Sequence, residues 1–238
     1  RHPNFGTLPP DRFIPVAEGR GLIADLGRQV LDKALAQLAA WDADGLPVPC
    51  VAVNISAAEL RPGFAETVEA ALVRHGVEAA RLELEITESA LTADGVDTLA
   101  ILARLRELGV GVAVDDFGVG YSSLGQLRRL PIDSLKIDRS FVEEIDRCAE
   151  DAAIVTAIVA MAGALGLRTI AEGAEHEGQI GVLVFVADAL ATAFVVPHPD
   201  DYRALHDSLL QDFFGELIWQ YAVFYPELPP CEFPARSE

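Results

Sequence analysis

Basic residues, cysteine and long hydrophobic runs are all scarce in this sequence. Lysine and arginine total 18 against 37 aspartates and glutamates, which gives a formal net charge of −19. A general DNA- or RNA-binding protein needs a basic surface, so this balance excludes that class. The cysteines Cys50, Cys148 and Cys231 are far apart, odd in number and without a CxxC pair. They predict free thiols in a reducing compartment, and hence a cytoplasmic chain whose longer parent could be tethered to a membrane.

The hydrophobic content predicts one large domain with its own core. Hydrophobic residues make up 51% of the 238 positions, too many for a disordered chain. The longest nearly apolar run, 152–167, is shorter than a membrane span and leads directly into Arg168, which favours a buried helix. Because residue 1 is Arg rather than Met, we expect the sequence to be a piece of a longer protein.

Segments with strand and helix patterns alternate along the chain. The predicted strands are 50–55, 82–87, 111–114, 134–137 and 167–170, and the predicted helices are 64–75, 96–108, 123–129 and 152–165. This alternation predicts an α/β fold with parallel strands. An open doubly wound sheet and a (β/α)₈ barrel both fit, but a length near the usual ~250 residues favours the barrel. No GxGxxG follows any strand, which weighs against a dinucleotide-binding sheet.

Polar side chains stand where each predicted strand ends. They are Asn54, Glu85, Glu88, Asp115, Asp116, Lys136, Glu172 and Glu175. In a parallel barrel these strand ends form one face, and active sites lie on that face. Taken singly, each residue has an ordinary alternative: Asp115 and Asp116 could form a turn, Asn54 could cap a helix, and the others could be surface charges. Their joint placement favours a shared site.

The chemistry of such a cluster points to divalent cations. Crowded carboxylates repel one another, and bound cations remove that cost. Oxygen ligands without histidine or thiolate suit Mg²⁺ or Mn²⁺ rather than Zn²⁺. The adjacent pair Asp115 and Asp116 could serve two ions, an arrangement typical of phosphodiester hydrolysis.

Several motifs resemble the EAL domain, a phosphodiesterase module that linearises cyclic-di-GMP. The matching stretches are 2–23, 51–60, 82–89, 112–142 and 167–175, and the most specific are DDFGVGYSSL and KIDRSFV. The resemblance implies a TIM-like (β/α)₈ barrel of the EAL type. The family's Glu-Ala-Leu precedes a His-Pro like that at residues 2–3, so we expect the first strand, with one metal-binding glutamate, to be missing. This implies weak or no turnover by the chain alone.

The resemblance also implies a role for each site residue. Asn54, Glu85 and Asp115 correspond to ligands of a first Mg²⁺ or Mn²⁺ ion, and Asp115, Asp116 and Glu172 to ligands of a second. Lys136 resembles the lysine that holds the attacking water, and Glu88 and Glu175 resemble acids that support the metal site and the loop after Asp116. Asp138 and Thr192 are expected at the substrate.

The sequence departs from the family pattern beyond residue 176. Thr192 and Ala193 stand where the family has Gln-Gly, and 182–186 resembles a buried strand more than a surface helix. We therefore expect a barrel domain over 1–205 and an aromatic-rich extension over 206–238. Expected partners are cyclic-di-GMP, a second copy of the chain, and sensor or GGDEF domains upstream. Two alternatives to an active phosphodiesterase stay open: a non-hydrolysing cyclic-di-GMP receptor and a protein-interaction domain.

Overall fold

The chain folds around one parallel sheet whose strands follow one another in chain order. This computed structural model describes residues 6, 8–46, 48–92, 98–120, 124–190 and 194–195. The strands are β1 (Val51–Ile55), β2 (Leu82–Thr87), β3 (Gly111–Phe117), β4 (Ser134–Ile137), β5 (Arg168–Ala171) and β6 (Phe194–Val195). Each strand pairs in parallel with the next. A doubly wound sheet reverses its strand order at one point, so this unreversed order favours the predicted barrel.

Helices connect the strands and cover the outside of the sheet. They are α1 (Pro10–Gly19), α2 (Ile23–Ala43), α3 (Phe64–His75), α4 (Thr98–Leu108), α5 (Leu124–Leu127), α6 (Arg139–Val142), α7 (Ala149–Leu165) and α8 (Glu177–Leu190). Short 3₁₀ turns occupy Ala57–Glu59, Ala79–Arg81 and Glu88–Thr92. Gly76 and Gly166 end α3 and α7 in the left-handed conformation, at φ of 65° and 69°, where a side chain would be strained.

The alternation of side chains along each strand separates an apolar outer face from a polar inner face. In β2, Leu82, Leu84 and Ile86 are fully buried in the hydrophobic core beneath the helices. The intervening Glu83 and Glu85 are also buried, on the opposite face of the same strand. The interior of this sheet therefore holds charges, which must find partners there.

The inner face carries a polar cluster near the amino ends of the strands. Oε2 of Glu83 accepts a hydrogen bond from Ser134 Oγ at 3.2 Å and pairs with Arg168 Nη2 at 2.9 Å. Burial raises the pKa of Glu83, and the Arg168 guanidinium opposes that rise. This cluster ties β2, β4 and β5 together across the sheet interior.

Two predicted elements differ in the structure. Strand β3 continues to Phe117 rather than stopping at residue 114. The interpretation of 182–186 as a strand is wrong, because these residues lie within α8. Leu183 and Val186 are buried in the hydrophobic core, whereas Val184 and Phe185 are 53% and 73% exposed. Helix α8 as a whole contacts α7. Buried residues three positions apart are typical of a helix that packs on one side. The sequence does not show this spacing, because the exposed residues of the segment are apolar too.

The remaining expectations are met in part or fall outside the described residues. The run 152–167 lies mostly in helix α7, as predicted, but the helix is buried on one side only: Val155, Ile158, Val159 and Ala162 are buried, whereas Ile154 is 39% exposed. Within the described residues, no helix is long and apolar enough to cross a membrane. Neither Cys50 nor Cys148 forms a disulfide, while Cys231 lies outside the described residues. The boundary at 205/206 and the aromatic extension also lie outside them, so they stay predictions.

The two sides of α8 give a test of its helical packing. Leu183→Ala removes a fully buried side chain and should lower the free energy of unfolding by about 2–5 kcal/mol. Val184→Ala, on the exposed side, should change it by no more than about 0.5 kcal/mol. Urea denaturation of both variants measures the difference, and equal losses would contradict the helical packing.

Candidate active site

The predicted polar residues of five strands meet at the carboxyl ends of the sheet. Asn54 in β1 lies beside Glu85 in β2 in the strand register, and Thr87 lies beside Asp115 in β3. Lys136 lies in β4, and Glu172 follows β5 directly. Because parallel strands end on the same side, side chains far apart in sequence share one mouth.

Lys136 is the centre of this cluster. Its Nζ lies 2.8 Å from Glu85 Oε1, 3.1 Å from Asp115 Oδ1 and 2.5 Å from Glu172 Oε1. The lysine is only 2% exposed, so these contacts form away from water. Burial acts to lower the pKa of Lys136, but the three carboxylates outweigh it and the pKa is raised. The ammonium therefore stays charged and can donate hydrogen bonds but cannot accept a proton near neutral pH.

A bulge in β3 brings two adjacent aspartates to the same mouth. In a regular strand, the side chains of Asp115 and Asp116 would point to opposite faces. Here the register with β4 shifts between Val114 and Phe117, and Asp116 has a φ of 53°. Bulges of this kind redirect side chains next to active sites, at the cost of local backbone strain.

The carboxylates of Asp115, Asp116 and Glu172 form a group that could hold a cation. One oxygen from each lies within 4.8 Å of the others. Burial, Asp115 and Asp138 raise the pKa of Asp116 to about 6, so its negative charge is unfavourable in this setting. Burial also raises the pKa of Glu172, although Lys136 opposes this. A bound cation would relieve both effects.

Glu85 provides a second indication that the site is built for a cation. Burial raises its pKa to about 8, with Lys136 opposing the rise and Asp115 adding to it. Its Oε2 is buried and accepts no hydrogen bond from the described residues. A buried carboxylate oxygen is normally satisfied, so this atom suits a ligand that the donor set would bind. The oxygen-only donors fit a hard divalent ion.

Glu88 holds the backbone that follows the aspartate pair. Its Oε2 accepts hydrogen bonds from the backbone N–H groups of Gly118 at 3.2 Å and Gly120 at 3.1 Å. A Cβ on Gly120 would lie 2.6 Å from the Glu88 carboxyl carbon, so any other residue there would displace this carboxylate. The sequence identified Glu88, but the backbone contacts with these glycines depend on the fold. Residues 121–123 of this loop lie outside the described residues.

The rim of the mouth carries a second set of charged groups. Asp138 caps α6 by accepting a hydrogen bond from Ser140 N at 2.8 Å. Glu175 is exposed and accepts a hydrogen bond from Arg139 Nη2 at 2.7 Å. Arg139 packs over Gly173, where an added Cβ would lie 2.5 Å from Arg139 Cγ. The pair Arg139–Glu175 therefore joins the loops after β4 and β5.

The sequence prediction and the structure agree in part on the site. The metal-ligand candidates Glu85, Asp115, Asp116 and Glu172 lie together around Lys136, with Asn54 on the adjacent strand. Ser56 rather than Asn54 caps the following turn. Thr192 lies outside the described residues. Arg139 was not among the predicted site residues, although its place after Asp138 in KIDRSFV was a usable signal.

The raised pKa of Glu85 predicts a pH-dependent stability in metal-free buffer. Between its usual value near 4.5 and about 8, the folded chain holds a proton that the unfolded chain has released. Glu85 should therefore contribute a fall in the free energy of unfolding as pH rises through this window, of at most about 1.4 kcal/mol per pH unit. Glu85→Gln should flatten this dependence in urea denaturation at pH 5–8 with chelator. The exposed control Glu66→Gln should follow the wild type, and parallel curves for Glu85→Gln would contradict the assignment.

Comparison with known proteins identifies the family. The EAL domain family model matches residues 1–184, and a second model, ARPP-2, matches residues 139–238. The chain is 46% identical over 179 residues to the bifunctional diguanylate cyclase/cyclic di-GMP phosphodiesterase MucR of Pseudomonas aeruginosa, covering 75% of this chain and 26% of MucR. It is 43% identical over 210 residues to the cyclic di-GMP phosphodiesterase NbdA of the same organism, covering 88% and 27%. The chain thus spans about a quarter of the length of these relatives.

Solved structures of EAL domains share the same architecture. The Pseudomonas aeruginosa MucR phosphodiesterase in complex with c-di-GMP superposes with a TM-score of 0.73 at 45% identity, covering 78% of this chain and 75% of that chain. The EAL domain of Mycobacterium smegmatis DcpA superposes with a TM-score of 0.64 at 41% identity, covering 69% and 75%. The predicted TIM-like fold is thereby confirmed. The strand order, the family match and these two structures together show that the chain belongs to the EAL domain family.

Proposed function

We propose that this chain is an EAL-type phosphodiesterase domain that hydrolyses cyclic-di-GMP to linear pGpG. The observation that carries the proposal is the carboxylate group Asp115, Asp116 and Glu172 beside the buried Lys136. Such a site suits a phosphodiester, because cations between substrate and carboxylates allow an anionic phosphate to approach an acidic mouth. The names of MucR and NbdA describe the same reaction.

Two Mg²⁺ or Mn²⁺ ions are the proposed cofactors. Asn54, Glu85 and Asp115 would hold one ion, and Asp115, Asp116 and Glu172 would hold the other. The unsatisfied Oε2 of Glu85 and the raised pKa of Asp116 both support cation binding at these residues. When bound, the cations would polarise the phosphate and lower the pKa of the attacking water.

The chain's own side chains would orient the water and the substrate. Lys136 Nζ stays protonated, so it would donate a hydrogen bond to the attacking water rather than remove its proton. Water would attack phosphorus in line with the leaving 3′-oxygen: its hydroxyl would join phosphorus, the P–O bond to the 3′-oxygen would break, and that oxygen would leave as a hydroxyl carrying the water's second proton. Glu88 would keep the loop after Asp116 in place through Gly118 and Gly120.

The rim residues would contact the substrate. Asp138 lies close enough to Asp116 to raise its pKa, and this supports a role for Asp138 beside the reacting centre. Thr192 is proposed to contact the substrate as well. For Glu175 we propose a supporting role through Arg139, its partner at 2.7 Å.

The wider setting of the domain is also a proposal. We expect it to act beside sensor or GGDEF domains, as a homodimer and in the cytoplasm. The name of MucR, which combines cyclase and phosphodiesterase, supports a GGDEF neighbour. MucR and NbdA are each about four times as long as the segment that matches this chain, so these relatives contain further domains.

Turnover of cyclic-di-GMP tests the proposed activity. Purified chain with cyclic-di-GMP and Mn²⁺ should give linear pGpG only slowly, in keeping with the weak turnover expected of the chain alone, and the product is followed by chromatography over hours. Asp115→Asn should reduce the rate by roughly 100-fold or more, because it removes a carboxylate that both cations would share. Asp25→Asn, an exposed aspartate on α2, is the matched control and should keep the wild-type rate.

The outcomes separate the proposed enzyme from its alternatives. An Asp115→Asn variant with the wild-type rate would contradict the two-metal assignment. Nucleotide binding without product, measured by calorimetry, would favour the receptor. Neither binding nor product would favour the protein-interaction domain.

A further inference from the structure

A buried carboxylate outside the candidate active site holds the chain directly after β1. Glu59 is 7% exposed and ends the 3₁₀ turn Ala57–Glu59. Its Oε2 accepts a hydrogen bond from Ser56 N at 3.0 Å, while Ser56 Oγ accepts one from Ala58 N at 3.2 Å. This reciprocal capping box fixes the backbone two residues beyond Asn54.

Helix α2 is shaped to receive this carboxylate. A Cβ on Gly27 would lie 1.7 Å from Glu59 Oε1, so no other residue fits there without moving Glu59. Glycine inside a helix is unfavourable relative to alanine, and α2 nevertheless has glycine at this point of contact. The pairing repeats the arrangement at Gly120, where a missing side chain admits the carboxylate of Glu88.

Helix α1 holds the same segment from a second direction. Ser56 Oγ donates a hydrogen bond to Glu18 Oε1 at 2.6 Å. Burial raises the pKa of Glu59 to about 7, the Ser56 N–H opposes the rise, and Glu18 adds to it. A neutral glutamine could therefore keep the Ser56 contact in place of the carboxyl.

We propose that Glu59, seated against Gly27, is a positioning residue that fixes the end of β1 and thereby holds Asn54 in the metal site. Glu59 acts through the Ser56 backbone and touches neither cation nor substrate. The effect on metal binding rests on the proposed metal site. The contact of Glu59 with the Ser56 backbone does not depend on that proposal.

Two measurements on the full chain test the positioning. Glu59→Ala and Gly27→Ala should each lose hydrogen-exchange protection at the Ser56 amide and bind Mn²⁺ roughly 10–100-fold more weakly by calorimetry. Glu59→Gln should retain both properties, because its amide oxygen can accept the Ser56 N–H. Gly181→Ala, a glycine-to-alanine change inside α8 with nothing within 4 Å of the added carbon, is the matched control and should behave as wild type.

A double-mutant cycle tests whether Glu59 acts through Asn54. If it does, adding Glu59→Ala to Asn54→Ala should weaken Mn²⁺ binding no further than Asn54→Ala alone. A general loss of folding would instead lower affinity in both backgrounds. Additive losses would therefore overturn the proposal.

The double variant Gly27→Ala/Glu59→Ala separates packing from positioning. Without the Glu59 carboxylate, the methyl group added at position 27 has room. The melting temperature should therefore be higher than that of Gly27→Ala, while the Mn²⁺ affinity should stay low. Recovery of Mn²⁺ affinity in this variant would overturn the proposal.

Failure of the inference is distinguishable from failure of the proposed function. A wild-type chain that binds no Mn²⁺ contradicts the proposed metal site, and the Ser56 exchange data then decide the positioning alone. Wild-type Mn²⁺ binding and Ser56 protection in Glu59→Ala would contradict the inference, as would a Glu59→Gln variant that loses both.

Discussion

The pairing of Lys136 with three carboxylates is the interaction on which the mouth of this barrel depends. Glu85 and Lys136 are almost fully buried, where isolated charges would be very costly. Burial, and to a smaller extent the neighbouring Asp115, keeps the pKa values of Glu85 and Glu172 raised even though the ammonium opposes both effects. The site is therefore stable enough to fold and still electrostatically suited to additional positive charge.

The sheet interior repeats the same solution at its other end. Glu83 lies two residues before Glu85 on β2 and pairs with Arg168, as Glu85 pairs with Lys136. The alternation of the strand puts both glutamates on the inner face, while Leu82, Leu84 and Ile86 fill the outer core. The Glu83–Arg168 pair joins strands in the sheet interior, whereas the Glu85–Lys136 pair lies at the carboxyl ends of the strands, in the candidate site.

Two glycine–carboxylate contacts then fix the segments that surround the site. Gly120 admits Glu88 beneath the loop after β3, and Gly27 admits Glu59 behind the end of β1. Glu88 accepts hydrogen bonds from two backbone N–H groups and Glu59 from one. Both carboxylates therefore fix backbone that lies next to the candidate site.

The sequence alone determined the alternation of strands and helices, the family and the residues at each strand end, because these follow from periodicity and local motifs. Strand β2 and helix α3 have their predicted bounds. The tertiary structure decided that Asp116 joins Asp115, since a bulge against β4 reverses the alternation expected of a strand. It also decided that 182–186 is helical, since one side of α8 packs into the core, which buries Leu183 and Val186 and leaves Val184 and Phe185 exposed. Both depend on contacts between segments far apart in sequence, which no local pattern contains.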